Sequence, residues 1–120
     1  MLEDATTQLR RGVVEYCVLG LLAAEPMYGW QLSSALTERA LIASIGTLYP
    51  LLGRLRDRGL IVAFEQPSSP DAPGGTPPSG GPTRKYYRLT PLGVQHLDRF
   101  RSQWGPFTDS VTEIIERERA

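Results

Sequence analysis

Between Val13 and Leu22 the chain carries Val13, Val14, Tyr16, Cys17, Val18, Leu19, Leu21 and Leu22, and Glu25-Pro26 then breaks the run. The spacing predicts a helix over about residues 7–24, in which these side chains occupy nearly the whole circumference. A helix that is apolar all round has to be covered all round. The chain has 120 residues, one domain by length with no room for a second core. So small a domain covers one side of this helix, which leaves the other for a partner chain. The run is shorter than the roughly 20 residues needed to cross a bilayer. Glu3, Asp4 and Glu15 also make it unlike a secretory leader, so no membrane association is expected.

The rest of the chain reads as helix, helix, strand, long loop, strand, helix. A second helix is predicted from about Tyr28 to Thr37, with Trp30, Leu32, Ala35 and Leu36 as its apolar positions. Residues 38–43 connect it to a third, N-capped by Ser44 and running to Arg58. The apolar set of this third helix is Ile45, Leu48, Leu51, Leu52 and Leu55, and Gly59 stops it. Pro50 lies inside it, where its ring crowds the carbonyl of Gly46, so a kink or a short first turn is expected. Residues 60–65 and 84–89 read as a pair of strands. Six of the ten prolines and four of the twelve glycines lie between Pro67 and Pro82. That stretch has no apolar anchor beyond one alanine, and it is expected to be a flexible wing loop over residues 67–83. Thr90-Pro91 reads as an N-cap followed by proline at the first helical position. In the last helix Leu97, Phe100, Trp104, Phe107, Val111 and Ile114 recur at alternating spacings of three and four. That is an a/d seam close to three heptads long, and it is expected to dimerise. Gly105-Pro106 should bend it. The expected fold is mainly α with a small β-hairpin: a winged helix-turn-helix over residues 1–90, then a C-terminal dimerisation helix over residues 91–120.

The formal net charge is zero, which excludes a uniformly basic chain. The charge is unevenly placed, however. Residues 1–38 hold two basic and five acidic groups, whereas residues 39–97 hold seven basic and three acidic groups. The basic excess sits on the third helix, as Arg54, Arg56 and Arg58, and on the second strand, as Arg84, Lys85 and Arg88. Those are the two elements a winged helix presents to a duplex. Bases are touched from the first turns of such a helix, here Ser44, Thr47 and Tyr49, with Gly46 allowing close approach. No Arg, Asn or Gln stands there, so strong bidentate base readout is not expected, and Arg54 is expected to meet a phosphate. A solvated basic face without a ligand is the other reading of the arginines alone.

Taken in order, the segments R-R-G-V-V-E-Y-C-V-L-G-L-L (Arg10 to Leu22), P-M-Y-G-W-Q-L (Pro26 to Leu32), S-I-G-T-L-Y-P-L-L-G-R-L (Ser44 to Leu55), G-L-I (Gly59 to Ile61) and R-K-Y-Y-R-L-T-P-L-G (Arg84 to Gly93), with Trp104, resemble the PadR family of bacterial transcriptional regulators. The resemblance covers nearly the whole chain. It departs at residues 67–82, which are longer and richer in Pro and Gly than the family's usual wing. It implies a homodimeric winged-helix repressor bound to double-stranded DNA at a near-palindromic operator and often released by a small hydrophobic or phenolic effector. On the matching positions, Tyr28, Ser44, Thr47, Tyr49 and Pro50 fall in the DNA-facing helix-turn-helix, and Arg84 and Lys85 fall on the wing. Trp104 falls near the dimer axis, where it is implied to line an effector cavity with Leu9, Glu15, Tyr16, Leu97 and Thr108.

Other chemistries find little support. The chain has no G-x-G-x-x-G, P-loop, G-x-S-x-G or H-E-x-x-H pattern, and no spaced acid/base pair stands out. One cysteine and one histidine make neither a disulfide nor a zinc site, so no cofactor or metal is expected. Cys17 reads as a small buried hydrophobe rather than a redox sensor, and a reducing cytoplasm suits it. His96 reads as solvated. A winged helix used for protein–protein contact, with the basic face incidental, is the alternative function.

Overall fold

The computed structural model describes residues 5–67 and 83–117. In chain order the elements are α1 (Ala5–Ala24), β1 (Met27–Tyr28), α2 (Gly29–Glu38), α3 (Ile45–Asp57), β2 (Ile61–Pro67), β3 (Thr83–Leu89) and α4 (Pro91–Ile115). This is the winged helix-turn-helix order with a long C-terminal helix, mainly α as the apolar periodicities predict. The sheet is antiparallel with order β1-β3-β2, one strand more than a hairpin. Strand β1 pairs Met27 with Tyr87 and Tyr28 with Tyr86. Two residues are too few to show an alternating pattern, so it is invisible in the sequence. The β2–β3 ladder runs from Ile61 opposite Leu89 out to Pro67 opposite Thr83. Pro67 and Thr83 therefore belong to strands rather than to the loop, and residues 68–82 lie outside the described residues.

One apolar core joins all these elements. Val14, Val18, Leu19 and Leu22 come from α1, Leu32 and Leu36 from α2, and Leu48, Leu51, Leu52 and Leu55 from α3. Ile42, Leu60, Ile61, Tyr87 and Leu97 close it. No polar or charged side chain is buried among the described residues. Each fully buried leucine stabilises by roughly 1.5–3 kcal/mol, so the helical leucines dominate the cohesion. Leu97 is thus a core residue rather than part of a seam between chains. Trp30, expected on the apolar face of α2, is instead 44% exposed. Helix α3 runs unbroken through Pro50. The carbonyl that Pro50 cannot bond belongs to exposed Gly46, where water reaches it.

Helix α4 is buried in the core only at its start and lies along α1 as far as the Phe100 stack. Thr90 caps it, its Oγ1 accepting from the Gly93 amide at 3.0 Å and donating to the Gly59 carbonyl at 2.6 Å. Gly93 is required there, because a methyl group would overlap the Leu60 carbonyl oxygen. The helix then continues in one run through Gly105 and Pro106. Beyond Phe100 it leaves the domain: Phe107 and Ile114 are each 62% exposed.

Helices α2 and α3 end in the same way. The amides of Ala40 and Leu41 donate to the carbonyls of Thr37 and Leu36, and those of Gly59 and Leu60 to Arg56 and Leu55. Both are Schellman caps, which place one residue in the left-handed region. That residue is Gly59 after α3 (φ 77°) but Ala40 after α2 (φ 57°). A Cβ there costs roughly 1–2 kcal/mol. Two matched substitutions should therefore move stability in opposite directions. In urea unfolding, Ala40→Gly is expected to raise stability by about 1 kcal/mol and Gly59→Ala to lower it by about as much.

Candidate nucleic-acid interface

The packing of α3 determines what it shows to solvent. At 3.6 residues per turn, Leu48, Leu52 and Leu55 point into the core, and Gly46, Pro50 and Gly53 point directly away. A Cβ at Gly53 would meet nothing in this chain, so internal packing does not demand glycine there. Thr47 and Arg54 lie on one flank of this smooth outer ridge, and Ile45 and Tyr49 on the other. Ser44 precedes the helix in extended conformation, and its side chain makes no capping bond. Its carbonyl accepts from the Thr47 amide at 3.1 Å. The exposed Ser44 hydroxyl is therefore not used up by the helix end.

The Tyr49 flank borders a cleft of about 430 Å³ lined by Tyr28, Gly29, Trp30, Ile45, Tyr49, Arg84, Lys85 and Tyr87. Here the first turns of α2 and α3 meet the base of the wing, and aromatic contacts hold the meeting. The Arg84 guanidinium lies 4.5 Å from the centre of the Tyr28 ring. Tyr28 meets Tyr86 edge-on at 5.3 Å, and Tyr86 stacks on Phe64 at 5.8 Å. Arg88 sits over the other end of this row, 5.4 Å from the Phe64 ring. The Tyr28 amide donates to the Gln31 side chain at 3.0 Å, which fixes the start of α2. Gly29 lets Tyr49 close over that start: a methyl group at Gly29 would fall 2.6 Å from the Tyr49 hydroxyl. Burial, helped by Tyr49 and opposed by Arg56, pushes the Tyr87 phenol above its ordinary range, so it stays a neutral hydroxyl. The cleft is cationic, aromatic and open, the chemistry that suits a phosphodiester backbone.

Of the residues expected to face DNA, Tyr49, Arg84 and Lys85 are brought together here, and Ser44 and Pro50 are exposed beside them; Tyr28 is only 3% exposed, so it supports the cleft from beneath Arg84 rather than facing DNA itself. Trp30 and Ile45 join the cleft, although their apolar character suggests core. Arg54 is not part of it. Arg54 lies on the opposite flank, in a second cleft with Thr47, Arg10 and Arg11.

The expected effector residues divide in a similar way. Leu9, Tyr16 and Trp104 line a groove of about 540 Å³ between α1 and α4, together with Gln8, Gly12, Val13, Phe100, Gln103 and Phe107. Its aromatic wall is continuous. Tyr16 stacks on Phe100 at 3.8 Å, and Phe100 leans on Trp104 at 5.4 Å. Leu97 is excluded from the groove by its burial in the core. Thr108 donates its hydroxyl back to the Gly105 carbonyl at 3.0 Å and does not line it. Glu15 turns the other way and pairs with Arg58 at 3.2 Å. Arg58 in turn contacts His96 at 3.3 Å, so His96 is tied to the helix junction rather than simply solvated. Half-buried Cys17 has its thiol pushed above the ordinary range by burial, which disfavours the reactive thiolate. Among the described residues no His, Cys, Asp or Glu cluster could hold a metal, and no helix is long and apolar enough to cross a membrane.

Comparison with known proteins gives this geometry a context. Residues 18–99 match the Transcriptional regulator PadR-like family. A PadR-like transcriptional regulator of Bacillus cereus is 33% identical; the match covers 92% of this chain and 99% of that one, with a TM-score of 0.76. A PadR family transcriptional regulator of Eggerthella lenta is 32% identical over 93% of this chain and 89% of that one, with a TM-score of 0.74. An uncharacterized protein of Lysinibacillus sphaericus is 29% identical over 109 residues, 88% of this chain and 87% of that one.

The Gly29–Tyr49 contact makes the cleft testable without disturbing the core. In Gly29→Ala the Tyr49 ring, which is half exposed, has to swing away. Thermal stability is expected to change by less than about 0.5 kcal/mol, because nothing buried is removed. Affinity for duplex DNA, read by fluorescence anisotropy, is expected to fall severalfold.

Proposed function

Since the chain belongs to the PadR-like family of transcriptional regulators, we propose that it is a homodimeric repressor that binds a near-palindromic operator and is released by a small hydrophobic or aromatic effector. The observation that carries the reading is the cleft in which Tyr28, Tyr49, Arg84 and Lys85 converge beside the outer ridge of α3. With α3 in the major groove, Gly46 and Pro50 bring its backbone close to the base edges, and Ser44, Thr47 and Tyr49 supply hydroxyls to bases or phosphates. Arg84 and Lys85 hold the adjoining backbone by charge.

Dimerisation is the reading that suits the far half of α4. Trp104, Phe107, Val111 and Ile114 are all exposed along one stripe, and Phe100 continues it into the groove beside Leu9. A second copy of the same stripe covers this apolar surface and the uncovered side of α1. Two copies of α3 then meet successive major grooves on one face of the duplex, and this is the origin of the near-palindrome. An effector seated in the groove against the row of Tyr16, Phe100 and Trp104 would bear on the angle between α1 and α4, and so on the distance between the two copies of α3. A ligand favouring one such spacing shifts the population and weakens operator binding.

A gel shift with the DNA upstream of the protein's own gene tests the DNA reading directly. Arg84→Ala with Lys85→Ala is expected to weaken that binding at least tenfold. The slope of log K against log salt should become shallower by about 0.9 for each phosphate that is no longer neutralised. Unchanged affinity and slope would remove the wing from the interface. Phe107→Asp with Ile114→Asp is expected to convert the dimer to a monomer in sedimentation velocity. A wild-type chain that sediments as a monomer at the same concentration contradicts the dimer.

A further inference from the structure

The second flank of α3 has a cleft of its own, about 510 Å³ in volume, formed where α1 crosses the helix-turn-helix. Three arginines line it, Arg10 and Arg11 from α1 and Arg54 from α3, together with Thr47 and an apolar floor that includes Val14 and Leu51. Its one carboxylate, Glu15, is already engaged by Arg58 at 3.2 Å. Among the described residues no acidic group lies within ion-pairing distance of Arg10, Arg11 or Arg54. Arg10 is also positioned. Its Nε donates to the Ala40 carbonyl at 3.0 Å, anchoring it on the left-handed turn between α2 and α3.

We propose that Arg10 and Arg11 of α1, with Arg54 and Thr47 of α3, form a second phosphate-binding cleft that grips the DNA strand opposite the one held by the wing. The inference rests on the DNA-binding reading and extends it to a helix that reading leaves out. The warrant is geometric. A helix with its side chains is 10–12 Å across, and the major groove is about 12 Å wide, so a helix seated there has a sugar-phosphate wall on each side. The outer ridge of α3 is Gly46, Pro50 and Gly53. Arg84 and Lys85 lie off its Tyr49 flank, and Arg10, Arg11 and Arg54 lie off its Thr47 flank. Each wall of the groove therefore meets one cationic cleft. The two arginines of α1 are far from both the reading helix and the wing in sequence, and only the crossing of α1 brings them to this edge.

The test uses the full chain and a fluorescein-labelled 30-base-pair duplex of mixed sequence at low salt, because phosphate contacts act on any sequence. Arg10→Ala with Arg11→Ala is expected to weaken binding at least fivefold and to flatten the salt slope by about 0.9 for each phosphate released. Arg11→Glu alone, at an exposed position with no structural bond to lose, is expected to weaken it at least as much with an unchanged circular dichroism spectrum. Arg101→Glu makes the same two-unit change of charge on α4, away from both clefts, and is expected to leave binding within twofold of wild type. Three results overturn the proposal. In the first, the Arg11→Glu chain is folded and binds as wild type while Arg84→Ala with Lys85→Ala loses binding, so the wing reading survives and the second cleft falls. In the second, Arg101→Glu weakens binding as much as the α1 variants do, and the effect is one of net charge alone. In the third, the wild-type chain binds no duplex at all, and the DNA reading falls along with the cleft.

Discussion

Helix α1 has apolar side chains on more of its circumference than its own domain covers, and the architecture follows from how that excess is resolved. Val14, Val18, Leu19 and Leu22 go into the core, where they support α2, α3 and the sheet. Val13 and Tyr16 are left on the α4 side, where they floor the aromatic groove. Arg10 and Arg11 extend the same helix to the rim of α3. A single helix is thus core, groove wall and basic edge on different faces. The Glu15–Arg58 pair and the Arg58–His96 contact tie its middle to the end of α3 and the start of α4. As a partly exposed pair the former adds at most about 1 kcal/mol of stability. Its importance is positional, since it joins three helices at one point.

The reading helix shows how a sequence can prepare a surface by omission. Four leucines fix the inward face of α3, and the outward face carries no long side chain until Asp57 at its end. Gly46, Pro50 and Gly53 offer no side-chain donors, so in the proposed docking discrimination among bases would come from Thr47, Tyr49 and Ser44 and from the shape and deformability of the duplex. Cationic groups stand on both flanks, while the chain as a whole has no net charge. In the proposed complex, attraction to phosphate is thus concentrated on the face where α3 sits without making the chain as a whole basic.

Most of the fold was legible because it is written in local patterns. The 3.6-residue spacing of Leu48, Leu52 and Leu55, the Thr90-Pro91 start of α4 and the Gly59 stop of α3 each carry their own physical signature. What escaped was decided by packing between distant segments. Leu97 and Val111 occupy equivalent places in one a/d pattern, yet one lies in its own core and the other in solvent. Periodicity names the buried stripe of a helix but not the body that buries it. Trp30 misled for the converse reason, since an aromatic beside a cationic cleft has the same sequence appearance as one in a core. Glu15 was placed on α1 correctly, but only the fold shows that it turns toward Arg58 and away from the groove. Strand β1 had no chance of detection at two residues.

The pairing of Pro67 with Thr83 bears on how such a chain varies over evolutionary time. The ladder brings the two ends of the connection together before it begins, so residues 68–82 span a gap that the strands have already closed. The entropy of closing a connection grows only with the logarithm of its length, and a doubling adds about 0.6 kcal/mol. The wing is therefore a permissive insertion point. Its tip can lengthen, shorten or change composition between relatives with little effect on folding, while Arg84 and Lys85, anchored inside the ladder, keep their register.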